Sequence, residues 1–241
     1  MDKAREAALK IMTAVHQQGA YANVALAKEL RYGQLSDMDR RFVTELVYGA
    51  VKAGGTLDWI IKKYLTRPWN KVNPLVQEIL RLGTYQLRYM DKVPASAACN
   101  ESVELAKKFT NLGAAKFVNG VLRTMVREPE KGNFPQGKGN ATLQMALSQQ
   151  HPEWLVRRWI KEFGYEEAEK LCQFDNQQAP LTIRINTLKT SPSELFLQLT
   201  SLGVEATRSQ LVDEGYVLEN YGSLDNLAPL QEGDCQVQDE S

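Results

Sequence analysis

Three cysteines, Cys99, Cys172 and Cys235, are the side chains best suited to covalent chemistry, because a thiolate is a strong nucleophile. No two of them stand at metal-ligand or redox spacing, which fits reduced thiols in a cytosolic protein and no bound metal. His16 and His151 lie far apart in sequence. The first falls near the end of a helical stretch, where a partly charged imidazole suits the helix dipole, and the second precedes one, so both read as structural. Glu166, Glu167 and Glu169 fit a solvated helical surface better than an acid–base pair. There is no glycine-rich cradle after a strand, no HExxH and no GxSxG.

Binding chemistry is better represented. Arg40-Arg41 opens a helical stripe. Lys107-Lys108 closes another, a placement the helix dipole alone explains. Lys116, Asn119, Gly120 and Arg123 recur at helical spacing on one side. There an amide donates and accepts, a glycine admits a close backbone, and cations hold phosphate. An ordinary helix whose Gly120 serves close packing is the competing explanation. Net charge is zero, but residues 1–140 hold 22 Lys+Arg against 13 Asp+Glu, and residues 141–241 hold 7 against 16. A basic first part suits a polyanionic partner, since each cation near a phosphate releases a counterion. A solvated lysine-rich surface would have the same composition.

The elements that must position these groups are mostly helices. Ala4, Ala7, Ala8, Ile11 and Val15 share one face of a helix over about 3–17. Ser36 caps a second, with the stripe Phe42, Val43, Leu46, Val47, Ala50 and Val51. Further helices run over 56–65, from Asn73-Pro74 with the stripe Val76, Ile79, Leu80, Gly83 and Leu87, from Ser96 and around 115–126. Residues 128–140 break all periodicity with Gly, Pro and polar residues and read as a linker. A helical connector over 141–175 follows. Leu181–Asn186 alternates as a half-buried strand, Ser191-Pro192-Ser193-Glu194 is a capping box, and strand-like pieces surround Val212 and 216–218, so 176–236 reads as a small α/β domain. No apolar run is long enough for a membrane span and no secretory signal opens the chain.

These blocks resemble a known family. Arg5, Ala8 and Leu9, Asp39-Arg40, Phe42-Val43, Glu45-Leu46, Tyr48-Gly49, residues 79–87, Val93-Pro94, residues 100–107 and Phe117-Val118-Asn119-Gly120-Val121-Leu122-Arg123 are similar, in order, to the NusB-like RNA-binding domain over 1–127. Leu122-Arg123 looks like the form fused to methyltransferases, since free-standing NusB proteins usually carry an acidic residue there. Residues 148–155 and 176–186 resemble the region before the catalytic domain in the RsmB (Sun/Fmu) family of 16S rRNA cytosine-C5 methyltransferases. The closing Val237-Gln238-Asp239-Glu240-Ser241 is similar to the start of that catalytic domain.

The resemblance implies an α+β chain: an all-α NusB-like domain, a helical connector and a small RNA-recognition-like α/β domain, with the Rossmann-like methyltransferase domain absent. It implies 16S rRNA as partner, a cytoplasmic location, and a methyltransferase domain downstream or on a separate chain. The family's reaction uses S-adenosylmethionine: a cysteine thiolate adds to cytosine C6, C5 takes the methyl group, and a second cysteine assists release. None of Cys99, Cys172 and Cys235 matches those motifs, so no catalytic residue and no cofactor site is expected in this chain. The expected RNA contacts are Arg5, Arg40, Arg41, Lys107, Lys116, Asn119 and Arg123, with Arg184 in the second part. A non-enzymatic NusB-like antitermination protein and an inactive truncated product are the alternatives.

Overall fold

The computed structural model describes residues 2–177, 179–222, 224 and 227–239, with the backbone alone for Lys138. Gln178, within the block expected before the catalytic domain, and Glu240-Ser241 of the closing segment lie outside the described residues. The chain divides into two compact units, residues 1–175 and 176–241.

The first unit is helical. Its first seven helices are α1 (Lys3–Gln18), α2 (Ala22–Tyr32), α3 (Asp37–Lys52), α4 (Gly54–Lys62), α5 (Pro74–Tyr89), α6 (Ala95–Phe109) and α7 (Leu112–Arg127). Their starts follow from short polar side chains that satisfy first-turn amides: Asp2 accepts from Ala4 and Arg5, Ser36 from Asp39, Asn73 from Leu75 and Asn111 from Ala114. Helix α5 is central and packs on α1, α3, α4, α6 and α7. Its Ile79 and Leu80 are fully buried, as the stripe predicts. Helix α2 has no counterpart in the sequence reading. It buries only Leu26, so its stripe is too thin to register.

Residues 128–140 do not run free as a linker would. The Tyr64 hydroxyl donates to the Glu128 carbonyl at 2.9 Å and Arg88 to the Gly132 carbonyl at 3.1 Å. Phe134 meets Trp59 edge-on at 5.8 Å. One aromatic anchor and a few backbone acceptors hold the stretch down, a pattern that composition does not display. Beyond it, α8 (Ala141–Ser148), α9 (Glu153–Phe163) and α10 (Tyr165–Asp175) share a small core of Met145, Ala146, Val156, Ala168 and Cys172. Thr56 ties α4 to α8 by donating to the Leu147 carbonyl at 3.1 Å.

The second unit holds β1 (Leu181–Ile185), α11 (Pro192–Ser201), β2 (Glu205–Arg208), β3 (Gly215–Glu219), α12 (Ala228–Gln231) and β4 (Cys235–Val237). The sheet order is β2-β3-β1-β4, with every pair antiparallel. The capping box forms as expected, Ser191 with Glu194. Val212 lies in the turn before β3 rather than in a strand, its amide held by Ser209 Oγ at 3.0 Å. Ile183, Ile185, Tyr216 and Leu218 bury one sheet face against Leu195 and Leu199 of α11. By alternation the other face holds Thr182, Arg184, Thr207, Val217 and Gln236, with no aromatic side chain among these.

Candidate nucleic-acid interface

Helix α7 sorts its residues by period. Ala115, Val118, Val121, Leu122 and Met125 are buried, which leaves Lys116, Asn119, Gly120 and Arg123 exposed on the outer side. Arg123 donates to Asn100 of α6 at 3.0 Å and to Asn119 at 3.4 Å. Both partners are neutral amides, so the guanidinium is steered without losing its charge. Arg67 lies 4.0 Å above the ring of Phe117, adding a cation beside the start of this face. A Cβ placed on Gly120 would meet nothing within 4 Å. Close helix packing therefore does not explain this glycine, and its backbone is open to an approaching group. Asn100 falls within the 100–107 block that resembles the NusB-like domain, but its role emerges only when α6 and α7 pack. Arg67 carried no signal, since its ring partner is distant in sequence.

The other expected contacts divide. Arg41 is exposed, and Arg5, Arg41, Phe42 and Lys92 share the lining of a groove of about 680 Å³. Arg5 itself is not the free phosphate contact that was expected. Its side chain is buried, bonds Gln86 Oε1 at 2.7 Å, pairs with Asp2 and stacks 4.8 Å over Phe42, so it ties α1 to α5 and α3. Arg40 is half-buried, with Nε 3.4 Å from the Leu35 carbonyl. Lys107 pairs with Glu104 at 2.6 Å, an exposed pair that a phosphate can displace. Arg184 also departs from expectation. It forks onto Glu214 at 2.8 and 2.6 Å, an exposed pair in a unit with only 3 Lys+Arg against 10 Asp+Glu, so the surroundings repel a polyanion.

Beneath the helical surface lies a charge network that sequence reading did not find. Arg81 forks onto Asp58 at 2.7 and 2.9 Å and bonds Glu78 at 2.5 Å, and His16 Nδ1 lies 2.8 Å from the same Glu78. Burial opposes the charge on Arg81, but the Asp58 and Glu78 carboxylates outweigh it and hold its pKa above the ordinary value. The network is structural: Asp58 also accepts from Trp69 Nε1 at 3.1 Å.

Cys99, Cys172 and Cys235 are buried. Burial pushes all three thiols up, Cys235 to about 11. Such thiols stay protonated at neutral pH and are poor nucleophiles. A methyl donor bound in the manner of a nucleotide wants backbone amides presented by a glycine-rich turn after a strand. The turn after β1, residues 186–191, has no glycine and spends its polar groups internally: Asn186 donates to the Gly233 carbonyl at 3.0 Å and Lys189 to the Glu232 carbonyl at 2.6 Å. Among the described residues this turn does not fit the donor.

Comparison with known proteins finds two families along the chain, the second beginning within the helical unit. Residues 2–127 match the NusB family, and residues 151–225 match the RsmF/B-like methyltransferase ferredoxin-like domain. A probable ribosomal RNA small subunit methyltransferase B of Bacillus subtilis (strain 168) is 36% identical over 239 residues, covering 98% of this chain and 52% of that protein. One of the same description in Synechocystis sp. is 39% identical over 246 residues, covering 100% and 54%. The chain thus spans about half the length of the curated relatives it matches. The crystal structure of PH0851 shares the fold across 99% of this chain and 53% of its own, with TM-score 0.68 at 18% identity. Through its first 127 residues the chain belongs to the NusB family, and it couples that domain to an RsmF/B-like ferredoxin-like domain.

Proposed function

We propose that this chain is the RNA-recognising portion of a 16S rRNA cytosine-C5 methyltransferase, binding rRNA through its helical unit so that a cytosine is presented for methylation. The observation that carries the reading is similarity along the whole of this chain: relatives described as probable small-subunit rRNA methyltransferases align across both units at 36–39% identity. The α7 face supports it, with Lys116 and Arg123 exposed, Arg123 held by neutral amides and Gly120 open. The second unit supplies little positive charge, and the sheet face away from its core has no aromatic among Thr182, Arg184, Thr207, Val217 and Gln236 on which a base would stack. RNA contact is therefore assigned to the helical unit. S-adenosylmethionine enters this reading as the methyl donor of the whole enzyme, and a cytoplasmic location goes with it. Among the described residues no helix is long and apolar enough to cross a membrane.

The test is titration of the chain with 16S rRNA transcripts and an unrelated RNA at several salt concentrations, with calorimetry against S-adenosylmethionine alongside. Salt-dependent binding that favours 16S rRNA, and no heat from the donor, is the expected result. Absence of RNA binding at low salt would end the reading. Micromolar donor binding would overturn the placement of the cofactor outside these residues.

A further inference from the structure

Helix α9 presents a tryptophan on the side away from its core. Val156 is fully buried, and Trp159 and Ile160 pack around it. Trp154, by contrast, is 66% exposed. Helical spacing of three, four and seven residues sets Arg157, Arg158 and Lys161 on the same side as Trp154. All three cations are exposed. Residues 141–241 hold only seven Lys+Arg, so three of the seven sit on this one face of an otherwise acidic part.

A solvated helix face gains nothing from a tryptophan, whose indole exposes a large apolar area to water. Trp154 reaches no ring partner among the described residues, whereas Trp59 and Trp159 each have one. The flanking acids hold the cations only lightly. Arg157 pairs with Glu153 at 2.5 Å and Arg158 with Glu162 at 3.3 Å, both solvent-exposed pairs four residues apart. Such exposed pairs are weak and yield to a phosphate. Lys161 forms none of the ion pairs found among the described residues.

An aromatic plane ringed by displaceable cations is complementary to one ligand chemistry, a nucleobase with its flanking phosphates. We propose that the α9 face binds single-stranded RNA, with a base stacked on Trp154 and the backbone held by Arg157, Arg158 and Lys161. An unpaired base is required because the ring must be exposed to stack, which a duplex does not allow without opening. The site lies on a different helix from the α7 face. The inference rests on the reading of the chain as an RNA-binding portion and extends it to a strand-selective contact.

The test titrates the full chain with a fluorescein-labelled oligouridylate, which is single-stranded, and with an RNA duplex. Trp154→Ala is expected to weaken oligouridylate binding by roughly 5- to 100-fold, with little change in duplex affinity or in salt slope. Trp154→Phe keeps a π face and most of the binding. Arg157→Ala combined with Lys161→Ala is expected to lower the oligouridylate salt slope by about 1.4. Thermal melting checks the fold, and if Trp154→Ala lowers the midpoint, the slope of the charge variant decides. Trp154→Ala or the charge variant binding oligouridylate like wild type overturns the inference. In that case weakened binding by Lys116→Ala with Arg123→Ala leaves the broader RNA reading standing. A wild-type chain that binds neither RNA removes the α9 site, and the titration with 16S rRNA then decides the broader reading.

Discussion

Gly83 on α5 and Leu122 on α7 approach so closely that a Cβ on Gly83 would stand 2.7 Å from Leu122 Cδ1, and 2.8 Å from Ser102 Oγ as well. Leu122 and Ser102 are both buried, so neither can swing aside. Gly83→Ala gains about 1 kcal/mol in helix propensity but meets an overpacking penalty of about 1–3 kcal/mol. Net destabilisation is expected, read as a lower urea midpoint with an unchanged m-value.

Gly120, on α7 itself, should behave in the opposite way. Its added Cβ meets nothing, so Gly120→Ala is expected to stabilise the fold by about 0.5–1 kcal/mol. If RNA approaches the backbone there, the same variant loses RNA affinity. Paired unfolding and binding curves on one preparation test both signs, and undiminished affinity would take Gly120 off the interface.

Lys116 and Arg123 should act through counterion release. Each replacement by Ala is expected to reduce the slope of log K against log salt by about 0.7–0.9. Arg184→Ala should leave that slope alone, because it lies in a unit with 3 Lys+Arg against 10 Asp+Glu and is paired with Glu214. Equal effects at all three positions would show that the ion pair at Arg184 opens on binding.

The Arg81–Asp58 fork is expected to matter for stability and not for RNA. Asp58→Ala leaves a largely buried guanidinium with Glu78 alone and removes the acceptor of Trp69 Nε1. A loss of about 1.5–3 kcal/mol is expected in urea unfolding, with RNA affinity unchanged in the folded protein.

Cys235 gives the second unit a pH signature. The folded state raises this thiol from 9.0 to about 11, so it keeps a proton that the unfolded chain releases. Stability therefore falls as pH rises through that window. Urea midpoints of wild type and Cys235→Ala, compared from pH 8 to about 11, should diverge, with the variant losing less. Parallel curves would mean that the thiolate is accommodated where it stands.

Legibility followed the range of the interaction. The α5 stripe, the Ser36 and Asn73 caps and the Ser191–Glu194 box were readable because each is set within a few residues. The α7 face was readable for the same reason. Helix α2 was hidden by its single buried leucine, and the docking of 128–140 by its dependence on Trp59, Tyr64 and Arg88. Arg5 and Arg184 show the limit most plainly. A cation in the sequence carries no sign of its surroundings, and here Arg5 is buried against Gln86, 81 residues away, while Arg184 meets Glu214, 30 residues away.

Strand β1 lies between β3 and β4, and α5 lies amid helices made both before and after it. On a ribosome these arrangements have different histories. The helical unit can consolidate locally as each helix emerges, since intrahelical bonds need no distant partner. Strand β1 emerges with both edges unpaired and waits for Gly215–Glu219, then for Cys235–Val237. During that interval two unpaired backbone edges and an apolar face bearing Ile183 and Ile185 are available to wrong partners, so the small unit is the part of this chain whose yield should respond most to synthesis rate and chaperone supply.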